Sequence, residues 1–193
     1  MKLTPLGIQG AWLAEAPIWN DNRGHFREWF RRDDVLSKTG IDFSVQQANI
    51  SQSHRGVIRG IHYSLVSEGQ LKWVTCVQGS ILDVIVDIRP KSPTFKKYEI
   101  VGLNGNEGRA LLIGAGLGHG FLSLEDNTVT TYLLSSGYNT NLEHAVDFFD
   151  KDLDIDISNE LASMEPLRSE KDILASGLMD LERQNLLPSY ELP

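Results

Sequence analysis

The run Ser80-Ile81-Leu82-Asp83-Val84-Ile85-Val86-Asp87-Ile88-Arg89 decides the fold. Successive side chains of an extended strand point to opposite faces, so Leu82, Val84, Val86 and Ile88 share one face, and Asp83, Asp87 and Arg89 share the other. On either side, Lys72–Gln78 and Thr128–Leu134 are likewise rich in β-branched and aromatic residues. From about residue 45 to 135 the chain breaks into short runs of this kind at Gly, Asn and Ser turns. Many short, turn-punctuated strands predict a mainly β protein, a sandwich or a jelly-roll barrel.

The pattern changes near the end. Ile173, Leu174, Leu178 and Leu181 recur at helical spacing behind Ser169-Glu170-Lys171-Asp172, which has the form of a helix capping box, and Pro188 ends that helix or follows it closely. The expected organisation is one domain over 1–193, with a β core over roughly 5–158 and a helical segment over roughly 169–187 packed on it. The chain contains no internal repeat, low-complexity tract or linker.

Composition narrows the function. A net charge of -8 argues against a nucleic-acid partner, which needs a basic surface to neutralise phosphates. A few placed Arg and Lys residues still suffice for a small anion. Cys76 is the single cysteine, so no intrachain disulfide forms and a reducing compartment suits the chain. Met1–Gly10 lacks a basic region followed by a long apolar run, and no segment is apolar for long enough to cross a bilayer. A cytoplasmic protein without a membrane partner is expected.

Three stretches are more polar and reactive than a β core requires: Arg23 to Glu28; Gln46 to Asn49 with Arg59 to Tyr63; and Gly116 to Phe121. Lys72 and Tyr132 fall on strands between them. Polar side chains facing a barrel interior need partners, since each left unpaired costs about 1–3 kcal/mol, and a polar ligand can supply them. A barrel metal site would use two histidines one residue apart on a strand, but Ser64 breaks that pair, leaving His62, Glu68 and His119 as a weak set.

The runs Arg23-Gly24-His25-Phe26-Arg27-Glu28, Val57-Ile58-Arg59-Gly60-Ile61-His62-Tyr63, Asp83 to Arg89 and Ser92-Pro93-Thr94-Phe95 resemble the dTDP-4-dehydrorhamnose 3,5-epimerase family. So do Gly116 to Phe121, Tyr132 to Tyr138 and Ser169-Glu170-Lys171-Asp172, in order, from about residue 5 to 187. The resemblance implies a cupin-type jelly roll and a homodimer that uses no metal or organic cofactor. It implies a substrate, dTDP-4-dehydro-6-deoxy-D-glucose, whose C3 and C5 are inverted through an enolate at the C4 ketone.

By the same resemblance His62 is the base, Asp172 its carboxylate partner, Lys72 the cation beside the C4 oxygen and Tyr132 the acid on the opposite face. Arg23, Arg59 and Lys171 are implied to contact the diphosphate, and Glu28, Gln47 and Asn49 to orient the sugar and the base. Tyr138 is implied to stack on thymine, and His119 and Glu143 match further binding positions.

Blander readings stand beside these. His62 alone reads as a core histidine, Tyr132 as a packing residue, Lys72 as a solvated strand lysine, and Arg23 with Glu28 as a surface ion pair. Asp172 is also the fourth residue of the capping box and serves the helix start on that reading. Asp87 and Arg89 read as a structural or dimer-interface pair.

Arg59 and His62, three residues apart, face opposite sides of a regular strand, so their joint use predicts a bulge at Gly60. The chain departs from the family pattern at Ser64-Leu65-Val66, at Gly114 and at Ile157-Ser158. Rival functions are a single-site epimerase of the same substrate class, a non-catalytic sugar-nucleotide-binding module and a metal-dependent cupin.

Overall fold

The computed structural model describes residues 1–190. The chain runs through β1 (Lys2–Pro5), β2 (Ala11–Glu15), β3 (Trp19–Asp21), β4 (Gly24–Phe26), α1 (Arg32–Thr39), β5 (Gln47–Ser53), β6 (Ile58–Ser64) and β7 (Lys72–Gln78). It continues through β8 (Ser80–Asp87), β9 (Tyr98–Asn104), β10 (Arg109–Ile113), β11 (Leu117–Ser123), β12 (Thr128–Leu134) and β13 (Glu143–Ala145). Three short helices follow: α2 (Ser158–Leu161), α3 (Glu170–Ile173) and α4 (Leu178–Arg183).

The long strands form two antiparallel sheets. One has the order β1-β2-β10-β7-β12-β5 and the other β13-β6-β11-β8-β9, while β3 and β4 make a separate hairpin. Because consecutive strands repeatedly change sheet, the sheets face each other as the jelly-roll barrel that the strand pattern predicts. Ile81 and Ile85 of β8 meet Val74, Leu111 and Phe121 in the space between them.

The other face of β8 is also buried, which is why its sequence carries so few polar residues. Val84, Val86 and Ile88 pack outward against Phe148, Leu153, Leu178 and Leu181, a cover built from the chain after β13. On the far side of the barrel, Trp73 and Leu112 lie under Val35 of α1 and Phe43. The Trp73 indole donates to the Trp29 carbonyl at 2.9 Å, and Phe30 meets Trp73 edge-on. Each such side chain contributes about 1.5–3 kcal/mol by leaving water.

The C-terminal segment corrects one expectation: the periodicity from Ile173 to Leu181 resolves into two short helices, not one. Between them Ser176 bridges to Val146, and the Asp150 carboxylate accepts from the Leu178 amide at 3.0 Å to start α4 afresh. Leu178 and Leu181 are therefore buried, while Ile173 and Leu174 are exposed. Asp87 and Arg89 form a buried ion pair, and Ser92 and Thr94 donate to the same carboxylate at 2.5 and 2.6 Å. That pair ties the end of β8 to the following turn.

The bulge at Gly60 is present. Opposite the two-residue step from His119 to Phe121 on β11, β6 takes three, from His62 to Arg59. The extra residue restores the parity that a regular strand would break, so Arg59 and His62 open onto one cleft. Gly60 has φ +105°, and a Cβ there would sit 2.5 Å from the His119 carbonyl oxygen and 2.6 Å from the Gly120 Cα. Gly60→Ala is expected to destabilise the protein by about 3 kcal/mol or more, since backbone strain and a backbone clash add. Urea unfolding checks this, and a loss below about 1 kcal/mol would mean the bulge relaxes freely.

Candidate active site

A cleft of about 440 Å³ opens at one end of the barrel. Its walls come from three parts of the fold. From the six-stranded sheet, Leu134 stands in register with both Gln47 and Lys72, and Tyr132 with both Asn49 and Val74. The strand period therefore aims Lys72, Tyr132, Gln47 and Asn49 at the same space. The five-stranded sheet supplies Arg59 and His62 from β6 and Glu143 from β13, and α3 with the residues just before it supplies Arg168, Ser169, Lys171 and Asp172.

His62 Nε2 lies 2.6 Å from Asp172 Oδ1. A carboxylate only accepts, so this nitrogen carries the proton and Nδ1 keeps the free lone pair. The imidazole side chain is 38% exposed within the cleft and its partner carboxylate 4%, so the ring is reachable while the group that orients it is sealed. Burial raises the Asp172 carboxyl, but the His62 hydrogen bond and charge, helped by Ser169 and the Gly60 N–H, leave it below the ordinary carboxylate range.

The capping box is half realised. The Asp172 amide donates to the Ser169 hydroxyl at 3.2 Å, so Ser169 caps α3, whereas the Asp172 carboxylate turns to His62 instead of back to the helix start. The cap and the cleft thus share one short helix, which fixes where Asp172 stands.

Lys72 is buried and donates to the His62 carbonyl oxygen at 3.1 Å. Burial pulls its ammonium down from 10.5 to about 8, with Glu143 and Asp83 opposing that fall. Tyr132 faces the cleft from the opposite sheet to His62. Burial raises its phenol above the ordinary value, with Arg59 and Asn49 opposing in part. The group therefore holds its proton at neutral pH and is able to donate it.

The remaining polar groups are held in turn. Gln47 donates to Asn49 Oδ1 at 2.9 Å and accepts the Tyr138 amide at 2.8 Å, placing the exposed Tyr138 ring at the rim. Gln70 donates to Glu143 at 3.3 Å and to Ser136 at 3.0 Å. Arg59 is steadied by Ser53 Oγ and the Gln52 carbonyl, at 3.2 and 3.1 Å.

Three residues implied to bind lie outside this lining. Arg23 and Glu28 sit on and beside the β3–β4 hairpin, in exposed ion pairs with Asp21 and Arg31. His119, the cross-strand neighbour of His62, is half-buried outside the cleft lining with its Nε2 2.9 Å from Asp83 Oδ2. Glu68 lines a different cavity, and among the described residues no three of His, Cys, Asp and Glu converge as a metal-ligand set.

Among the polar residues that line the cleft, the sequence reading missed Gln70, His144, Arg168 and Ser169. Gln70 carried a usable signal, since it stands two residues before Lys72 with the same strand parity. Arg168 is bound to Asp147 at 2.5 Å and lies over the Phe149 ring, contacts with no sequence signature.

The cleft thus brings together a carboxylate-oriented imidazole, a buried ammonium and a protonated phenol on the facing wall. Such a set can remove a proton beside a carbonyl, stabilise the resulting oxyanion and return a proton from the other side. Several cations, Arg59, Arg168 and Lys171 with Lys72, surround it in an acidic protein, as suits an anionic ligand.

The sequence profile described as dTDP-4-dehydrorhamnose 3,5-epimerase matches residues 5–180. The chain is similar to the dTDP-4-dehydrorhamnose 3,5-epimerase of Streptomyces griseus, at 44% identity over 98% of this chain and 92% of the relative. Its structure is similar to the rmlC epimerase of Mycobacterium tuberculosis, with a TM-score of 0.94, 38% identity, and coverage of 98% of this chain and 94% of that one. It is also similar to ChmJ of Streptomyces bikiniensis, a 3'-monoepimerase solved with dTDP-quinovose, with a TM-score of 0.91, 46% identity, and coverage of 96% and 92%. The jelly roll is accordingly of the cupin type. This isomerase fold and its proton-handling cleft belong together in one lineage: the chain is a member of the dTDP-4-dehydrorhamnose 3,5-epimerase family.

Proposed function

We propose that the protein inverts both C3 and C5 of dTDP-4-dehydro-6-deoxy-D-glucose, giving dTDP-4-dehydro-L-rhamnose for dTDP-L-rhamnose synthesis. The observation that carries this reading is the pair of proton-handling side chains, His62 and Tyr132, on opposite walls with Lys72 between the sheets. Inversion requires removal of a proton from one face and delivery to the other. Carbons on both sides of the C4 ketone become acidic once Lys72 stabilises the enolate oxygen.

In this reading Nδ1 of His62 takes the proton, Asp172 stabilises the imidazolium, and Tyr132 reprotonates the enolate carbon from the far side. Arg59 and Lys171 hold the diphosphate, Gln47, Asn49 and Glu143 orient the sugar and base, and Tyr138 stacks on thymine. His119 acts from behind His62 instead of lining the cleft. Arg23 and Glu28 bind substrate only by reaching the cleft of a second copy, which is consistent with a homodimer. The Trp19–Phe26 pair, tilted at 30° with ring centroids 5.8 Å apart and exposed on the same hairpin, is an apolar surface suited to that contact.

A second reading, inversion of C3 alone, is supported by the 46% identity to the S. bikiniensis 3'-monoepimerase. Proton NMR of the substrate incubated with the protein in deuterated water separates the two. Deuterium at both C3 and C5, with L-rhamnose product after a 4-reductase is added, is the expected outcome. Label at one carbon would establish the single-site reaction, and label at neither would leave a binding module.

Tyr132→Phe is expected to slow product formation by about 10²-fold while deuterium wash-in falls less, because the phenol acts after proton removal. Equal loss of both would remove Tyr132 from the role of acid.

A further inference from the structure

Asp83 on β8 is fully buried, and nothing in the proposed reaction uses it. Its Oδ2 accepts from His119 Nε2 at 2.9 Å, while its Oδ1 has no hydrogen-bond partner among the described residues. A buried carboxylate oxygen left unpaired is costly, so a nearby positive charge is the natural compensation. The strand registers show where that charge is. β8 pairs with β11 and β11 with β6, so Asp83, His119 and His62 stand on three adjacent strands. Lys72 crosses from the facing sheet to donate to the His62 carbonyl, which brings its ammonium to this part of the sheet, within the field of Asp83, with two further N–H donors to spare.

We propose that Asp83, oriented by His119, is a positioning residue whose buried carboxylate is the countercharge that keeps the Lys72 ammonium protonated beside the reacting carbonyl. The inference rests on the role proposed above for Lys72. Other groups facing Lys72 divide clearly. Glu143 of β13 acts in the same direction and more strongly, from the cleft side. Arg59 and the His62–Asp172 pair come from β6 and α3, Tyr132 comes from β12, and β10 presents only the apolar Ile113 at this level. Glu143 is partly exposed and lines the cleft proposed to hold the ligand, so its effect changes with occupancy. Asp83 is sealed, and its field on Lys72 persists whether or not substrate is bound.

The experiment is an NMR titration of protein labelled at lysine 13Cε and 15Nζ, without substrate, with Lys72 assigned by its disappearance in Lys72→Met. The wild-type midpoint is expected near pH 8. In Asp83→Asn it should move down by about one pH unit or more, the effect of removing an opposite charge at close range. The alkaline limb of kcat should move with it, while KM stays within about two-fold.

An unmoved Lys72 midpoint in folded Asp83→Asn protein overturns the proposal even if activity falls, because a packing role alone would do that. A midpoint that moves while the kcat limb stays fixed supports the coupling and overturns the reading of Lys72, a distinguishable failure. Should Asp83→Asn not fold, wild-type protein labelled at aspartate 13Cγ decides the matter. The Asp83 resonance must show a step at the Lys72 midpoint, and its absence overturns the proposal.

Discussion

His62→Ala is expected to lower epimerisation by about 10³-fold or more while leaving thymidine diphosphate affinity within about two-fold. The separation follows from where the side chain stands. The diphosphate-binding cations proposed above lie on β6 and α3, and neither is hydrogen-bonded to the His62 ring. Among the described residues the ring's single hydrogen-bond partner is Asp172, through Nε2, which leaves Nδ1 for the proposed chemistry. Kinetics with the full substrate and calorimetry with thymidine diphosphate alone check the two halves. If both collapse together, His62 is a structural or ligand-contact residue and the base lies elsewhere.

The same variant has a stability signature. Asp172 is depressed in the folded protein, so its contribution is present above the unfolded carboxyl value of 3.8 and is lost as pH falls through the lower folded value. Without the imidazole, burial dominates and the Asp172 carboxyl is expected to rise. His62→Ala should then lose stability as pH rises above the unfolded value, the reverse of the Asp172 effect in the wild type. Half of the pair is open to the cleft, so solvent screening keeps this effect modest. Asp172→Asn should retain more activity than His62→Ala, because an amide still holds the ring without stabilising its cation.

How much of this was legible in the sequence depends on whether the cause was local. Strand alternation is local, so β7, β8 and β12 were readable from their own residues, and so was the bulge, because Arg59 and His62 had the wrong parity for joint use. The C-terminal helices were misread as one because the break between them is made by Val146 and Asp150, residues far away in the chain. The same reasoning applies to the site. Gln70 shared the parity of Lys72, but Arg168 owes its place to Asp147 and Phe149, which only the fold brings near. For Arg23 and Glu28 the family pattern pointed to ligand binding without showing that their hairpin stands apart from this chain's cleft.

Lys72→Met is expected to lower turnover by about 10²–10³-fold and, at pH 7, to make the protein more stable by about 1–2 kcal/mol. On the role proposed for Lys72, the activity loss follows from removing the cation beside a developing oxyanion. The stability gain follows from burial. With a folded value of about 8 against 10.5, the native state binds this proton less tightly than the unfolded chain does. Below pH 8 the full cost is present, about 3 kcal/mol at 1.36 kcal/mol per pH unit, and it fades as pH rises from about 8 to 10.5. Methionine fills a similar volume without the charge but forfeits the bond to the His62 carbonyl, about 1 kcal/mol, which leaves the smaller net gain. Urea unfolding at several pH values tests the sign directly. The difference between variant and wild type should be largest at or below pH 7 and should shrink above pH 8. A variant less stable than wild type at pH 7 would mean that Glu143 and Asp83 gain more from the ammonium than its burial costs, and that Lys72 belongs to the scaffold as much as to the chemistry.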